Sequence, residues 1–127
     1  MNHVPGNGRN HRGSILLVDD NSGMRSLRAI MLATHGYEVD SVSNTAEAHL
    51  RWKATRPDLV LVAFTGYHAG TLEFLEKIKL ASPRQRVAFV NGESLYLSPL
   101  FYNDELIRKA EGPEDLIEQV GTLLAAV

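Results

Sequence analysis

Ser14-Ile-Leu-Leu-Val-Asp-Asp20 is the stretch on which the fold turns. It is a short, unbroken apolar run that ends in two acids. A run without polar alternation suits a strand covered on both faces, which needs helices above and below it. The next segments of the chain supply them. Leu27, Ile30, Met31 and Thr34 recur at i, i+3, i+4 and i+7, which predicts a helix over 22–35 with this stripe as its buried face, and Gly36 stops it. Tyr37-Glu-Val-Asp-Ser-Val42 alternates like an edge strand. Asn44-Thr-Ala-Glu47 is an N-cap with an acid three residues on, opening a helix through about Lys53.

Further along, Pro57 starts a second central run, Asp58-Leu-Val-Leu-Val-Ala-Phe64. Leu72, Leu75 and Ile78 mark a helix over 70–80. Arg86-Val-Ala-Phe-Val90 is a third apolar run, closed by Asn91-Gly92. Residues 94–102 have no clear period. Glu105-Leu-Ile-Arg108 reads as the last strand, and 113–126 is the clearest amphipathic helix, through Leu116, Ile117, Val120, Leu123 and Leu124. These are five strand–helix units without internal repeat or linker. They predict an α/β domain, a doubly wound parallel sheet with helices on both faces. In such sheets the site forms at the carboxyl ends of the strands, where the order switches. The residues of interest are therefore Asp19-Asp20, 63–70, Asn91-Gly92 and Lys109.

Composition narrows the chemistry. At 127 residues the chain suits one domain that needs no disulfide or structural metal to fold. It has no cysteine, which removes thiol catalysis and cysteine-held zinc or iron–sulfur centres. No apolar run approaches the roughly 18 residues of a membrane span, and the start has no secretory pattern, so a soluble cytoplasmic protein is expected. Residues 1–13 read as a flexible Gly/Asn-rich leader and 14–127 as the domain. Arg9 and Arg12 are two of the 13 basic residues, and the leader has none of the 15 acidic ones; the domain keeps 11 against 15, a net −4. An acidic body without a Lys/Arg stripe argues against a nucleic-acid partner.

Two adjacent carboxylates at a strand end disfavour double ionisation and call for a cation, either a divalent metal or a lysine. Lys109 is expected to pair with Asp19 or Asp20. Alternatively, the two acids only cap the first helix, where its dipole favours them. The five histidines show no metal-ligand spacing; His68 alone falls near the site. Trp52 reads as a partly buried packing residue. Gly6-Asn-Gly8 follows no strand and is not a phosphate cradle.

Ile15-Leu-Leu-Val-Asp-Asp-Asn21 with Arg25 and Leu27, Gly36-Tyr-Glu-Val39, Ala46-Glu-Ala48, Pro57-Asp-Leu-Val-Leu61 and Pro113-Glu-Asp-Leu116 together resemble the receiver domain of bacterial two-component response regulators. The resemblance covers everything after Gly13. It implies a flavodoxin-like three-layer sandwich with five parallel strands in the order 2-1-3-4-5. It also implies phosphorelay signalling, in which a histidine kinase passes a phosphoryl group to an aspartate beside Mg²⁺ held by an acidic pair. Position by position, the match is incomplete. Asp19 and Asp20 supply the acidic pair and Lys109 the lysine, followed by Ala110 in place of proline. The phosphoacceptor position is Ala63, the hydroxyl position is Asn91 and the switch aromatic is Leu106. A methyl group is neither nucleophile nor metal ligand. Asp58 lies about 16 Å away along the strand and does not replace it. Without the central carboxylate, Asp19 and Asp20 with a Thr65 carbonyl hold Mg²⁺ weakly at most. The expectation is a pseudo-receiver, not an enzyme, unphosphorylated at the usual position and without a resident cofactor.

A receiver-like module without an output domain works through its surface. Leu95-Tyr-Leu-Ser-Pro-Leu-Phe-Tyr102 falls where receivers carry their fourth helix, so Leu95, Tyr96, Leu97, Leu100, Phe101 and Tyr102 are the expected contact face. The expected partners are proteins: a histidine kinase, another signalling protein, or a second copy in a homodimer. Two other classes compete. A small-molecule-binding pseudo-receiver keeps the fold without phosphotransfer. A haloacid-dehalogenase-like phosphatase would need a second aspartate at Asn21, a hydroxyl at Asn91 and a late acidic pair, and has none of them.

Overall fold

The computed structural model describes residues 3–4, 12–63, 69–91, 94–97, 108–109 and 113–125. In chain order the elements are β1 (His3–Val4), β2 (Gly13–Asp19), α1 (Ser22–Thr34), β3 (Tyr37–Val42), α2 (Thr45–Thr55), β4 (Leu59–Ala63), α3 (Ala69–Ala81), β5 (Arg86–Asn91), β6 (Ser94–Leu97), β7 (Arg108–Lys109) and α4 (Pro113–Ala125). The parallel core is β3-β2-β4-β5, the order 2-1-3-4 among its members.

Alternation of side chains along each strand divides the core into two layers. Ile15 and Leu17 of β2, with Val39, Leu59, Leu61, Ala88 and Val90, pack beneath α1 and α4 through Ala29, Leu32, Ile117, Val120 and Leu123. Leu16 and Val18, with Val42, Val60, Val62 and Val87, pack beneath α2 and α3 through Ala48, Trp52, Phe74, Leu75 and Ile78. The apolar run around Leu16 is therefore buried on both faces, as its lack of alternation predicts. Asn21 caps α1 by accepting from the Met24 amide at 2.9 Å. Asn44 caps α2 through the Glu47 amide at 2.9 Å, the arrangement expected from Asn44-Thr-Ala-Glu47. Gly36, at φ 97°, ends α1. Among the described residues no helix is long and apolar enough to cross a membrane.

Three expectations need correction. First, four parallel strands are present, not five. Beside β5 stands β6, antiparallel, with Asn91 opposite Ser94 and Val90 opposite Leu95; β7 then pairs antiparallel with β6. In sequence only Gly92-Glu93 separates the two strands, and a two-residue connection that begins with glycine suits a type II′ hairpin. The dipeptide Asn91-Gly92, read as the end of an apolar run, is a hairpin signal. Leu95, Tyr96 and Leu97 consequently lie in a sheet strand, not a fourth helix; Leu100, Phe101, Tyr102 and the expected strand residues 105–107 lie outside the described residues. Second, β3 is not an edge. His3–Val4, inside the expected leader, pair antiparallel with Val39 and Asp40, and Arg12 donates its amide to the Gly36 carbonyl at 2.8 Å.

Third, α1 turns the other way. Ala29, Leu32 and Ala33 are buried, whereas Leu27 and Ile30 are 50% and 59% exposed, with Met24 at 38% beside them. The buried face combines Leu32 with two small alanines, and of the expected stripe only Met31 packs against the core. Leu27→Ser and Ile30→Ser are therefore expected to change stability by less than about 0.5 kcal/mol. Leu32→Ala should cost about 2–5 kcal/mol. Urea denaturation of the three variants checks the orientation, and a large loss at Leu27 would reverse it.

Candidate functional site

Strands β2 and β4 run parallel in a register that places Asp19 directly beside Ala63, both at carboxyl ends. That is where a doubly wound sheet gathers its functional groups. Asp19 is fully buried, at 0% exposure, and both its carboxylate oxygens are engaged. Oδ1 accepts the Asn21 amide at 3.0 Å, and Oδ2 accepts Arg28 Nη1 at 2.6 Å. The Asp19 carbonyl accepts Arg25 Nη1 at 3.0 Å. Arg28 itself is only 14% exposed. Helical side chains lean towards the helix N-terminus, so Arg25 and Arg28, one turn apart, both reach back from α1 to the end of β2.

The cation that the acidic pair calls for is thus a guanidinium from the helix after the strand. The lysine of the sequence reading does not hold Asp19. An aspartate so bound suits Mg²⁺ poorly. The ion wants several free oxygens in near-octahedral array, while Asp19 is committed to two donors and Ala63 is a buried methyl. Asp20 stands half-buried next to them. Among the described residues no group of three or more His, Asp or Glu could hold a metal.

The other expected site residues are dispersed. Lys109 ends β7, and β4, β5 and β6 stand between it and β2. Four strand spacings put its backbone about 19 Å from that of Asp19. Asn91 ends β5 within the hairpin ladder. Leu106, Thr65 and His68 lie outside the described residues. Asp58 is at the amino end of β4, as expected. Its Oδ2 accepts the Ser14 amide at 2.9 Å and the Ser14 hydroxyl at 3.3 Å, tying β4 to β2 there. Arg28 is the residue that the sequence did not reveal. Its signal was present but faint, an arginine at i+3 from Arg25 and next to Ala29 on the small-residue face of α1.

No family model matches the sequence. Two solved structures share the fold over nearly the whole chain. The apo receiver domain of nitrogen regulatory protein C, determined in solution, aligns with a TM-score of 0.70 at 22% identity, covering 91% of this chain and 97% of that one. A transiently phosphorylated "switch" in bacterial signal transduction aligns with a TM-score of 0.67 at 20% identity, again over 91% and 97%. The chain therefore has the fold of receiver domains. In sequence, 78 residues are 33% identical to the CAI-1 autoinducer sensor kinase/phosphatase CqsS of Vibrio cholerae. That stretch is 61% of this chain and 11% of the length of that relative.

Proposed function

We propose that this chain is a cytoplasmic receiver-type module of two-component signalling, not an enzyme, that is not phosphorylated at the usual position and is read by protein contact. One observation carries the reading: beside the acceptor position, Ala63, the buried carboxylate Asp19 is already neutralised by Arg28. Phosphoryl transfer to a receiver needs a carboxylate nucleophile and a divalent cation against the incoming phosphate. The Ala63 side chain supplies no oxygen, and Arg28 occupies the aspartate that would draw the cation. The receiver fold and the stretch of likeness to a sensor kinase/phosphatase support the pathway.

For the contact surface, α1 offers Met24, Leu27 and Ile30 as an exposed apolar stripe beside the site, with Arg25 next to it. A histidine kinase or a related signalling protein that presents an apolar helix with acidic flanks is the matching partner. Homodimerisation through the 95–102 segment is the competing arrangement, and sedimentation of wild type against Phe101→Glu separates the two.

Incubation with acetyl phosphate and Mg²⁺ tests the chemistry. Intact-mass measurement is expected to show no added phosphoryl group. A stoichiometric gain that disappears in Asp19→Asn or Asp20→Asn would overturn the reading.

A further inference from the structure

The opposite end of the sheet carries a second candidate site. A concave cavity of about 560 Å³ opens at the amino ends of β2, β4 and β5, within the size range of small-molecule sites. Arg12, Arg56, Arg84 and Arg86 line it together with Asp58 and Leu124. Four guanidiniums face one carboxylate, a net +3 on a chain whose overall charge is −2.

Packing explains only part of this convergence. Arg86 donates Nη1 to the Leu123 carbonyl in the last turn of α4, a structural bond at the negative end of a helix. Arg12 lies 5.1 Å from the Tyr37 ring centroid, and Gly121 leaves room for it, since a Cβ there would stand 3.0 Å from its Nη2. Arg56 lies 4.4 Å from the Trp52 ring centroid. Arg12 also donates Nη1 to the His35 carbonyl at 3.5 Å. Ring stacking itself holds both guanidinium planes without using up in-plane N–H donors, so Arg56 keeps its donors and Arg12 its remaining ones. Arg84 is exposed in the turn before β5. Among the described residues, none of Arg12, Arg56 and Arg84 has a carboxylate within ion-pair distance. Asp58, the one acid lining the cavity, is engaged by Ser14. Like charges gathered in a concavity with a single counter-charge repel one another, and an anion relieves that repulsion.

We propose that this cavity binds a small multivalent oxyanion, one bearing two or more phosphate or carboxylate groups that the guanidinium forks grip in pairs. A small ligand is favoured over a nucleic acid because the arginines face into a cavity and the rest of the chain is acidic. The site lies a full strand length, about 16 Å, from Asp19 and Ala63, so it is independent of the receiver-type site.

Isothermal titration calorimetry with sodium diphosphate, citrate, ADP and inorganic monophosphate tests this. Saturable one-to-one binding is expected for at least one of the first three, at least about tenfold tighter than monophosphate. Diphosphate against citrate decides between phosphate and carboxylate sources. Arg84→Ala, which removes no hydrogen bond or ion pair among the described residues, should weaken binding about tenfold, as should Arg56→Ala. Circular dichroism shows whether each variant is folded. The proposal fails if no probe saturates at millimolar concentration, if folded Arg84→Ala binds as wild type, or if only duplex DNA or anionic vesicles bind.

Discussion

Arg28→Met is expected to lower folding stability by about 3–5 kcal/mol, because it leaves the carboxylate of Asp19 buried without a counter-charge. Asp19 is wholly inaccessible and Arg28 nearly so, so solvent screens the pair little. The loss belongs to the broken pair and not to a large net gain from the intact one. Replacing both partners with neutral groups of similar shape is close to neutral. Asp19→Asn with Arg28→Met should therefore recover much of what Arg28→Met alone loses. Guanidinium denaturation of wild type, both single variants and the double variant closes the cycle. An unchanged midpoint for Arg28→Met would show that the pair does not hold the site.

Trp52→Ala is expected to cost a similar amount, about 3–5 kcal/mol. Trp52 is 1% exposed and belongs to the core layer that also holds Ala48, Val60 and Ile78. It is more deeply set than the partly buried residue predicted from its neighbours Arg51 and Lys53. Its Nε1 donates to Gln85 Oε1 at 2.8 Å, which satisfies a second buried polar group just before β5. Trp52→Phe keeps most of the volume but strands the glutamine oxygen, and should cost about 1–3 kcal/mol. A denaturation midpoint for Trp52→Ala close to wild type would mean that the ring is not core.

The chain's local patterns determined a good deal. The unbroken apolar runs at 15–18, 59–62 and 87–90 specify buried parallel strands, because period and burial are properties of the run itself. The caps at Asn21 and Asn44 and the stop at Gly36 are equally local, since each hydrogen bond spans only a few residues. The acidic pair Asp19-Asp20 at the end of the first core strand was likewise legible in the residues.

Every choice between two locally acceptable partners required the tertiary structure. Helix α1 has two faces that could be buried, Leu27 with Ile30 and Ala29 with Leu32 and Ala33, and packing on the sheet selects the second. That choice carries Arg28 inward and leaves Leu27 and Ile30 outside. Asp19 had three conceivable cations, a metal, Lys109 or an arginine, and which of them neutralises it depends on strand order and helix rotation. Asn91-Gly92 could end a strand or turn a hairpin, and the free edge of β5 decides for the hairpin by offering a ladder to β6. The arginines at 12, 56, 84 and 86 are far apart in sequence and meet only because three parallel strands begin at one end of the sheet. Sequence spacing carries information about neighbours within a few turns. Charge pairing and cavity lining depend on contacts across the sheet, and those exist only once it has formed.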